Sequence, residues 1–377
     1  MAIAIVQEAC AVFRSIPSLM LFPLSTVAAV VPICVFFFLG AFLIATSKPE
    51  ALLDKVAALN ATLTSLGEAQ LLEEYGSGSG DTSSSLSDAA LTRLSAADGE
   101  TLMRAMAVYW FFGLLWTVQF VKACSWTTMS GVVVYWFFFR KDPTESTRVP
   151  ILRSACRVAR YHLGSMALGA LVIALCQLVR ALLAYLDRQT QQAQEANGVL
   201  KMATKCLQCC LWCFEKTVRF ITGYGFVYVA MEGSAFCSAC FSTFKLILGN
   251  LSQVAVNTVV STLLTLLAMV AIPVLCAAGA YFYFDDVMQM RSPMYPTFFV
   301  LLLAGVVSQC CAAVFECTIT TIFVSCFRDH ALYRGEHMPE QLRKAFGIQR
   351  AAAETEALKG GKPTQGKAEP TDAELES

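Results

Sequence analysis

Charge is scarce in this chain. Asp, Glu, Lys and Arg make up 15% of its 377 residues, against about 25% in an average soluble domain. What charge there is cancels, 28 basic residues against 28 acidic, so no basic stripe is left over and a nucleic-acid partner is not expected. Histidine is rarer still, at three residues. No HExxH zinc motif, no GxSxG nucleophile elbow and no glycine-rich phosphate loop occurs in the sequence. Those absences remove the common metalloenzyme, hydrolase and nucleotide-driven readings, and neither an enzyme activity nor a cofactor or metal is expected.

What fills the chain instead is apolar: 56% of residues are hydrophobic and the mean hydropathy is +0.57, too high for one soluble core under a solvated surface. A bilayer core about 30 Å thick needs roughly 20 mostly apolar residues in a helix. Such runs recur, and the reading is an all-α, polytopic transmembrane helix bundle of about six spans. Residues 1–45 are an N-terminal segment and the first span, which contains Pro23 and Pro32. Residues 46–102 form an acidic loop, with nine acidic and three basic residues, the Gly76–Gly80 run and the serines 83–85; a short helix is expected near 52–66. Residues 103–328 hold the bundle, with spans at about 106–139, 163–186, 206–229, 255–284 and 297–327. A cytosolic amphipathic helix is expected at about 234–248. Residues 329–377 are a tail expected to be disordered after about 353.

Orientation follows from the remaining charge. The connector 140–160 carries six basic and two acidic residues, which places it in the cytosol. The acidic loop then lies outside or in a lumen, and both termini are cytosolic. Glu8, Arg14 and the lack of a small-residue cleavage site argue against a cleaved signal peptide. The sequon Asn60-Ala61-Thr62 falls on the glycosylated side, whereas Asn250-Leu251-Ser252 does not.

Sixteen cysteines would mean a disulfide framework in a small secreted protein. Here nearly all lie in apolar runs and none in the 46–102 loop, so small hydrophobes are the better reading. Cys206, Cys209, Cys210 and Cys213 follow one helical face. That spacing suits packing or palmitoylation and suits a four-sulfur metal tetrahedron poorly.

Several segments, Arg160-Tyr161-His162-Leu163-Gly164-Ser165, Gln177-Leu178-Val179-Arg180, Tyr185-Leu186-Asp187 and Cys209-Cys210-Leu211-Trp212-Cys213-Phe214-Glu215-Lys216, resemble the choline transporter-like proteins. Weaker matches at Phe22-Pro23-Leu24 and Phe112-Gly113-Leu114-Leu115-Trp116-Thr117 extend the similarity from about Glu8 to Asp329. The resemblance implies a family with ten membrane helices, of which this chain is similar to the last six. It also implies a cell-membrane transporter of choline or a related organic cation working by alternating access. Intracellular membranes are a second location, and a homo-oligomer or an additional membrane subunit would complete the bundle. The alternative is a non-transporting, truncated relative acting as a membrane scaffold or subunit. Two departures stand out: Thr320 occupies the place of an intramembrane aspartate, and Trp126 that of a glutamine.

A quaternary ammonium has no proton to donate, so aromatic faces and carboxylates hold it. Tyr109, Trp116 and Gln119 fall close to one face of the second span and, with Glu316, are the candidate substrate contacts. Tyr109, Trp110 and Trp136 equally suit interfacial anchoring, and Trp116 suits either a substrate face or lipid contact. Glu316 is flanked by Val314, Phe315 and Ile319, and an ionisable group in such a setting marks a pathway or an internal pair. It lies one helical turn from Thr320 and is the residue expected to replace the missing aspartate. Gln177 and Arg180 are intramembrane polar residues of the third span; Arg180 either pairs with Glu316 or snorkels to the interface. Treatment with an N-glycosidase is expected to sharpen and lower the electrophoretic band. Asn60→Gln should abolish that shift and Asn250→Gln should leave it intact.

Overall fold

A computed structural model describes residues 2–46, 58, 99–140, 150–190, 198–288 and 292–345. The loop, the Asn60 sequon, the expected helix at 52–66 and the tail beyond 345 lie outside them. Among the described residues the chain is helical with no strand. It runs through α1 (Ala2–Ser15), α2 (Ser18–Thr46), α3 (Gly99–Phe139), α4 (Pro150–Arg157), α5 (Leu163–Gln189), α6 (Gly198–Glu232), α7 (Phe236–Gly249), α8 (Leu251–Phe282), α9 (Met294–Tyr333) and α10 (Glu340–Ala345). Helix is the only open structure that satisfies its own backbone in lipid.

Among the described residues, five helices are long and apolar enough to cross a membrane: Ser18–Thr46, Thr101–Phe139, Ile151–Gln189, Leu251–Val287 and Met294–Tyr333. The protein is a multi-pass, all-α membrane bundle. The sixth expected span is contained in α6, whose 35 residues have ample length but are interrupted by Glu215, Lys216 and Arg219. The third span is longer than expected. α4 runs into α5 through a π-helical turn at Val158–His162, so the two form one rod of 39 residues.

The bundle is tight at one end and open at the other. The tight end carries α1, the ends of α3, α6 and α9 and the start of α5, and is the end that the charge bias predicts for the cytosol. There α9 is the mast: from Cys317 to Cys326 every residue is buried, enclosed by α1, α2, α3, α6 and α8. α1 contributes Ile5, Ala9 and Val12 to this core, and Ile16 in the link and Leu19 at the start of α2 follow. Their three- and four-residue spacing puts them on one stripe. At the other end large apolar side chains of α2, α8 and α9 (Phe36, Phe42, Val270, Leu275, Phe298 and Leu302) are exposed, as a lipid-facing surface requires.

Glycines set the close approaches. A Cβ at Gly169 would sit 2.7 Å from the rings of both Phe226 and Phe236, so α5, α6 and α7 meet there. Gly131 is covered by Ser154, whose hydroxyl donates to the Thr128 carbonyl at 2.8 Å. The Ser130-Gly131 pair is thus a packing point inside an unbroken helix. Gly164 has nothing within 4 Å of its would-be Cβ. α7 is less polar than an amphipathic cytosolic helix. It buries Phe236, Ala239 and Thr243 and exposes Phe241, Phe244 and Leu248, a pattern for the membrane interface.

The tight end is closed by a cap. After α9, Arg334 at φ 50° and Gly335 at φ 79° reverse the chain. The fully buried Asp329 accepts the backbone N–H groups of His337 (3.1 Å) and Met338 (3.0 Å) and lies 2.8 Å from His337 Nδ1. Met338 and Leu342 are thereby carried into the core. Arg140 donates to Glu8 at 2.6 Å and to the His337 carbonyl at 3.2 Å, which ties α3, α1 and the cap together. Asp329→Ala is expected to leave two buried N–H groups unpaired, at roughly 1–3 kcal/mol each. The measurement is trypsin cleavage at Arg343 and Lys344, which should be several times faster than in the unmodified protein.

Candidate functional site

A cavity of about 310 Å³ lies between α3, α5, α6, α8 and α9, within the range of small-molecule sites. Its walls are supplied helix by helix. From α3 come Gln119, Lys122, Ala123 and Trp126, one turn apart along one face; from α5, Ile173; from α6, Arg219, Phe220, Gly223, Tyr224 and Phe226. α8 adds Asn257, Thr258, Ser261 and Thr262, and α9 adds Glu316 and Thr320. A second cavity of about 450 Å³ between the outer parts of α2 and α3 is lined by apolar and aromatic residues apart from Arg104.

The first cavity has fixed aromatic walls. Trp126 Nε1 donates to the Gly223 carbonyl at 3.1 Å, which locks its ring across the α3–α6 seam. Tyr224 is buried, faces Asn257 and Thr258 of α8 and meets Phe323 edge-on at 6.4 Å between centroids. Toward the tight end the cavity has a floor. Ser130 Oγ and Cys317 Sγ are 3.4 Å apart, Cys317 Sγ approaches the Trp126 carbonyl at 3.6 Å, and the buried run of α9 begins there.

Two charged features frame it. Glu316 is exposed to the cavity, and it makes no hydrogen bond or ion pair among the described residues. Next to it in the wall, Arg219 binds Glu215 through Nε at 3.0 Å and Nη2 at 2.8 Å. Arg180 Nε is 3.0 Å from the other oxygen of the same carboxylate. Glu215 is buried while the two guanidinium groups are over a third exposed. Gln119 is buried, and its Nε2 donates to Gln177 Oε1 at 3.0 Å, joining α3 to α5 beside this cluster.

The expected site residues therefore separate. Gln119 and Glu316 line the cavity. Trp116 does not: it is 39% exposed, donates from Nε1 to the Ala167 carbonyl at 3.1 Å and stacks near Phe112. Tyr109, 75% exposed, is remote from it and suits an interfacial position. Arg180 pairs with Glu215 on the adjacent helix, so Glu316 is not its partner. Both family departures, Trp126 and Thr320, are wall residues. Sequence reasoning left out Tyr224, Asn257 and Ser261. The two α8 residues were signalled, since polar groups four apart in an otherwise apolar span share one face. Of the four-cysteine stripe, all four members are exposed on α6 among the described residues.

A family model described as plasma-membrane choline transporter matches residues 1–331. The chain belongs to that family. Among its relatives, choline transporter-like protein 2 of Dictyostelium discoideum is 28% identical over 258 residues, 67% of this chain and 40% of that protein. Choline transporter-like protein 4 of Danio rerio is 29% identical over 301 residues, 78% of this chain and 41% of its own length. Choline transporter-like protein 2 of Xenopus laevis is 32% identical over 190 residues, 50% of this chain and 26% of the relative. The chain thus spans less than half the length of these choline transporter-like proteins.

The three-residue charge cluster makes an asymmetric prediction. Glu215→Gln leaves two guanidinium groups facing each other without a counter-ion, whereas Arg180→Gln leaves the Arg219–Glu215 pair whole. Removing the common partner of a buried pair costs more than removing an exposed one. Thermal unfolding in detergent should show a midpoint several degrees lower for Glu215→Gln and a clearly smaller drop for Arg180→Gln.

Proposed function

We propose that this chain carries choline or a closely related organic cation across the membrane, with the five-helix cavity as the binding site of an alternating-access cycle. The carrying observation is the carboxylate of Glu316, which makes no hydrogen bond or close ion pair among the described residues, with Lys216 of α6 within electrostatic reach, in a cavity walled by Trp126, Tyr224 and Phe220. Carboxylate and ring faces attract an onium group that can donate no hydrogen bond, each ring contributing about 0.5–2 kcal/mol. Ser261 Oγ, buried in the same wall with no hydrogen-bond partner among the described residues, is placed to meet a substrate hydroxyl. The names of the relatives support the same substrate class.

The cycle needs two alternating barriers. The cavity floor is the packed layer around Cys317–Cys326, which separates the site from the cytosolic end. Release in that direction requires the layer to part. The ion pairs that cross it, Arg140–Glu8 at 2.6 Å and Arg328–Glu232 at 2.8 Å, are the contacts that would break. No nucleotide motif is present to drive the motion, so substrate or ion gradients supply the work.

A second reading, a non-transporting subunit or scaffold, draws on one observation: the chain covers 26–41% of the relatives named above. Uptake of labelled choline into proteoliposomes of the purified chain separates the two, because a scaffold gives none. If uptake occurs, Glu316→Gln is expected to reduce it about tenfold or more, and Trp126→Ala severalfold. Tyr109→Phe and Trp116→Phe, outside the cavity, should stay within about twofold of wild type. Equal uptake by Glu316→Gln and wild type would remove the proposed site.

A further inference from the structure

Lys122 is the group that the proposed reading does not use. It extends from α3 into the same cavity as Glu316 and makes no hydrogen bond or ion pair among the described residues. The charged group that bears on it most is another cation, Arg219, across the α3–α6 seam. The wall and its immediate support therefore hold four cations, Lys122, Arg180, Arg219 and the Lys216 that bears on Glu316, against two carboxylates, Glu215 and Glu316. Glu215 is already divided between the two arginines. A bare organic cation entering here would add to an existing excess of positive charge. A lone lysine at this depth without a counter-ion is costly, and a ligand anion is the partner that would relieve it.

We infer that the cavity takes a zwitterion, an ammonium compound that also carries a carboxylate or phosphate group. The positions fit such a ligand end to end. Glu316 precedes Cys317, whose sulfur touches the Trp126 carbonyl at 3.6 Å and the Ser130 hydroxyl at 3.4 Å, so the carboxylate belongs to the Trp126 level. Lys122 is one turn farther from the cytosol, about 6 Å along α3 at 1.5 Å per residue. An onium group beside Glu316, Trp126 and Tyr224 and an acid group at Lys122 are then separated by about the reach of a short alkyl linker. The buried Ser261 hydroxyl, without a partner of its own, adds a donor for the acid oxygens.

This inference rests on the transport reading for the onium half of the site, and one binding experiment distinguishes their failures. The full chain in lipid nanodiscs is titrated with choline, phosphocholine and glycine betaine, with Lys122→Leu, Lys122→Gln and Glu316→Gln as comparisons. In the wild type, phosphocholine or betaine should bind at least about fivefold tighter than choline; which of the two does so assigns the acid as phosphate or carboxylate. Both lysine variants should lose that preference, through weaker zwitterion binding and tighter choline binding, and the glutamine variant keeps the Lys122 route open should leucine disturb insertion. Glu316→Gln should weaken all three ligands. Choline bound as tightly as the zwitterions, with a ratio unmoved in either lysine variant, would overturn the inference and leave the cation site standing. Binding of none of the three would remove both.

Discussion

The inner half of α9 is the longest run of consecutive buried residues among those described, and the other helices are arranged around that enclosure. In lipid there is no hydrophobic force to press helices together, because acyl chains are as apolar as leucine; close packing and internal polar contacts must hold them. From Cys317 to Cys326 α9 offers small and medium side chains, among them Thr318, Thr320, Thr321 and Ser325, that allow five neighbours to approach. Thr318 and Thr321 return their hydroxyls to carbonyls one turn earlier at 2.8 and 2.7 Å, so they enter the core without unsatisfied donors. The N-terminal helix and the Asp329 cap fasten this region from below. Above it the helices diverge, and the cavity is the space left where close packing stops.

Polar groups mark that boundary. The Gln119–Gln177 bond, the Glu215 cluster, Asn257 and Ser261 all occur where the bundle opens, and the ring of Trp126 is held by a backbone carbonyl instead of by apolar packing. A site built on rigid helices with its aromatic wall tied in place needs little reordering to receive a ligand. The open question of charge is settled locally: Glu316 faces the void, whereas Glu215 is consumed by its two arginines.

The spans were legible because bilayer thickness fixes their length, and the runs 106–139, 255–284 and 297–327 each contain one side of a real helix pairing. Glu316 was legible for a related reason, a lone carboxylate between apolar residues. The choice among tryptophans was not. Trp116 and Trp126 occupy the same helix, and both lipid and protein interior accept an indole, so only the rotation of α3 set by Gly131 and the Gly223 carbonyl decides which ring faces inward. The partner of Arg180 was hidden for a different reason. Glu215 and Glu316 are both plausible by composition, and their distances depend on how α6 threads between α3 and α5. The glycines show the same limit: Gly169 and Gly164 look alike in sequence, yet only one meets a neighbour.

The Glu215 cluster has a consequence for how the protein is made. α6 carries too many charges to count among the helices that are apolar enough to cross a membrane by themselves, and each uncompensated charge near the bilayer centre opposes its transfer from water by a few kcal/mol. Part of the compensation is not on α6. It arrives on the preceding helix as Arg180, so α6 becomes acceptable to the bilayer once α5 is already there. The Arg180–Glu215 pair thus ties α5 and α6 together as one hairpin, and the same contact that borders the cavity offsets a charge that α6 would otherwise carry alone.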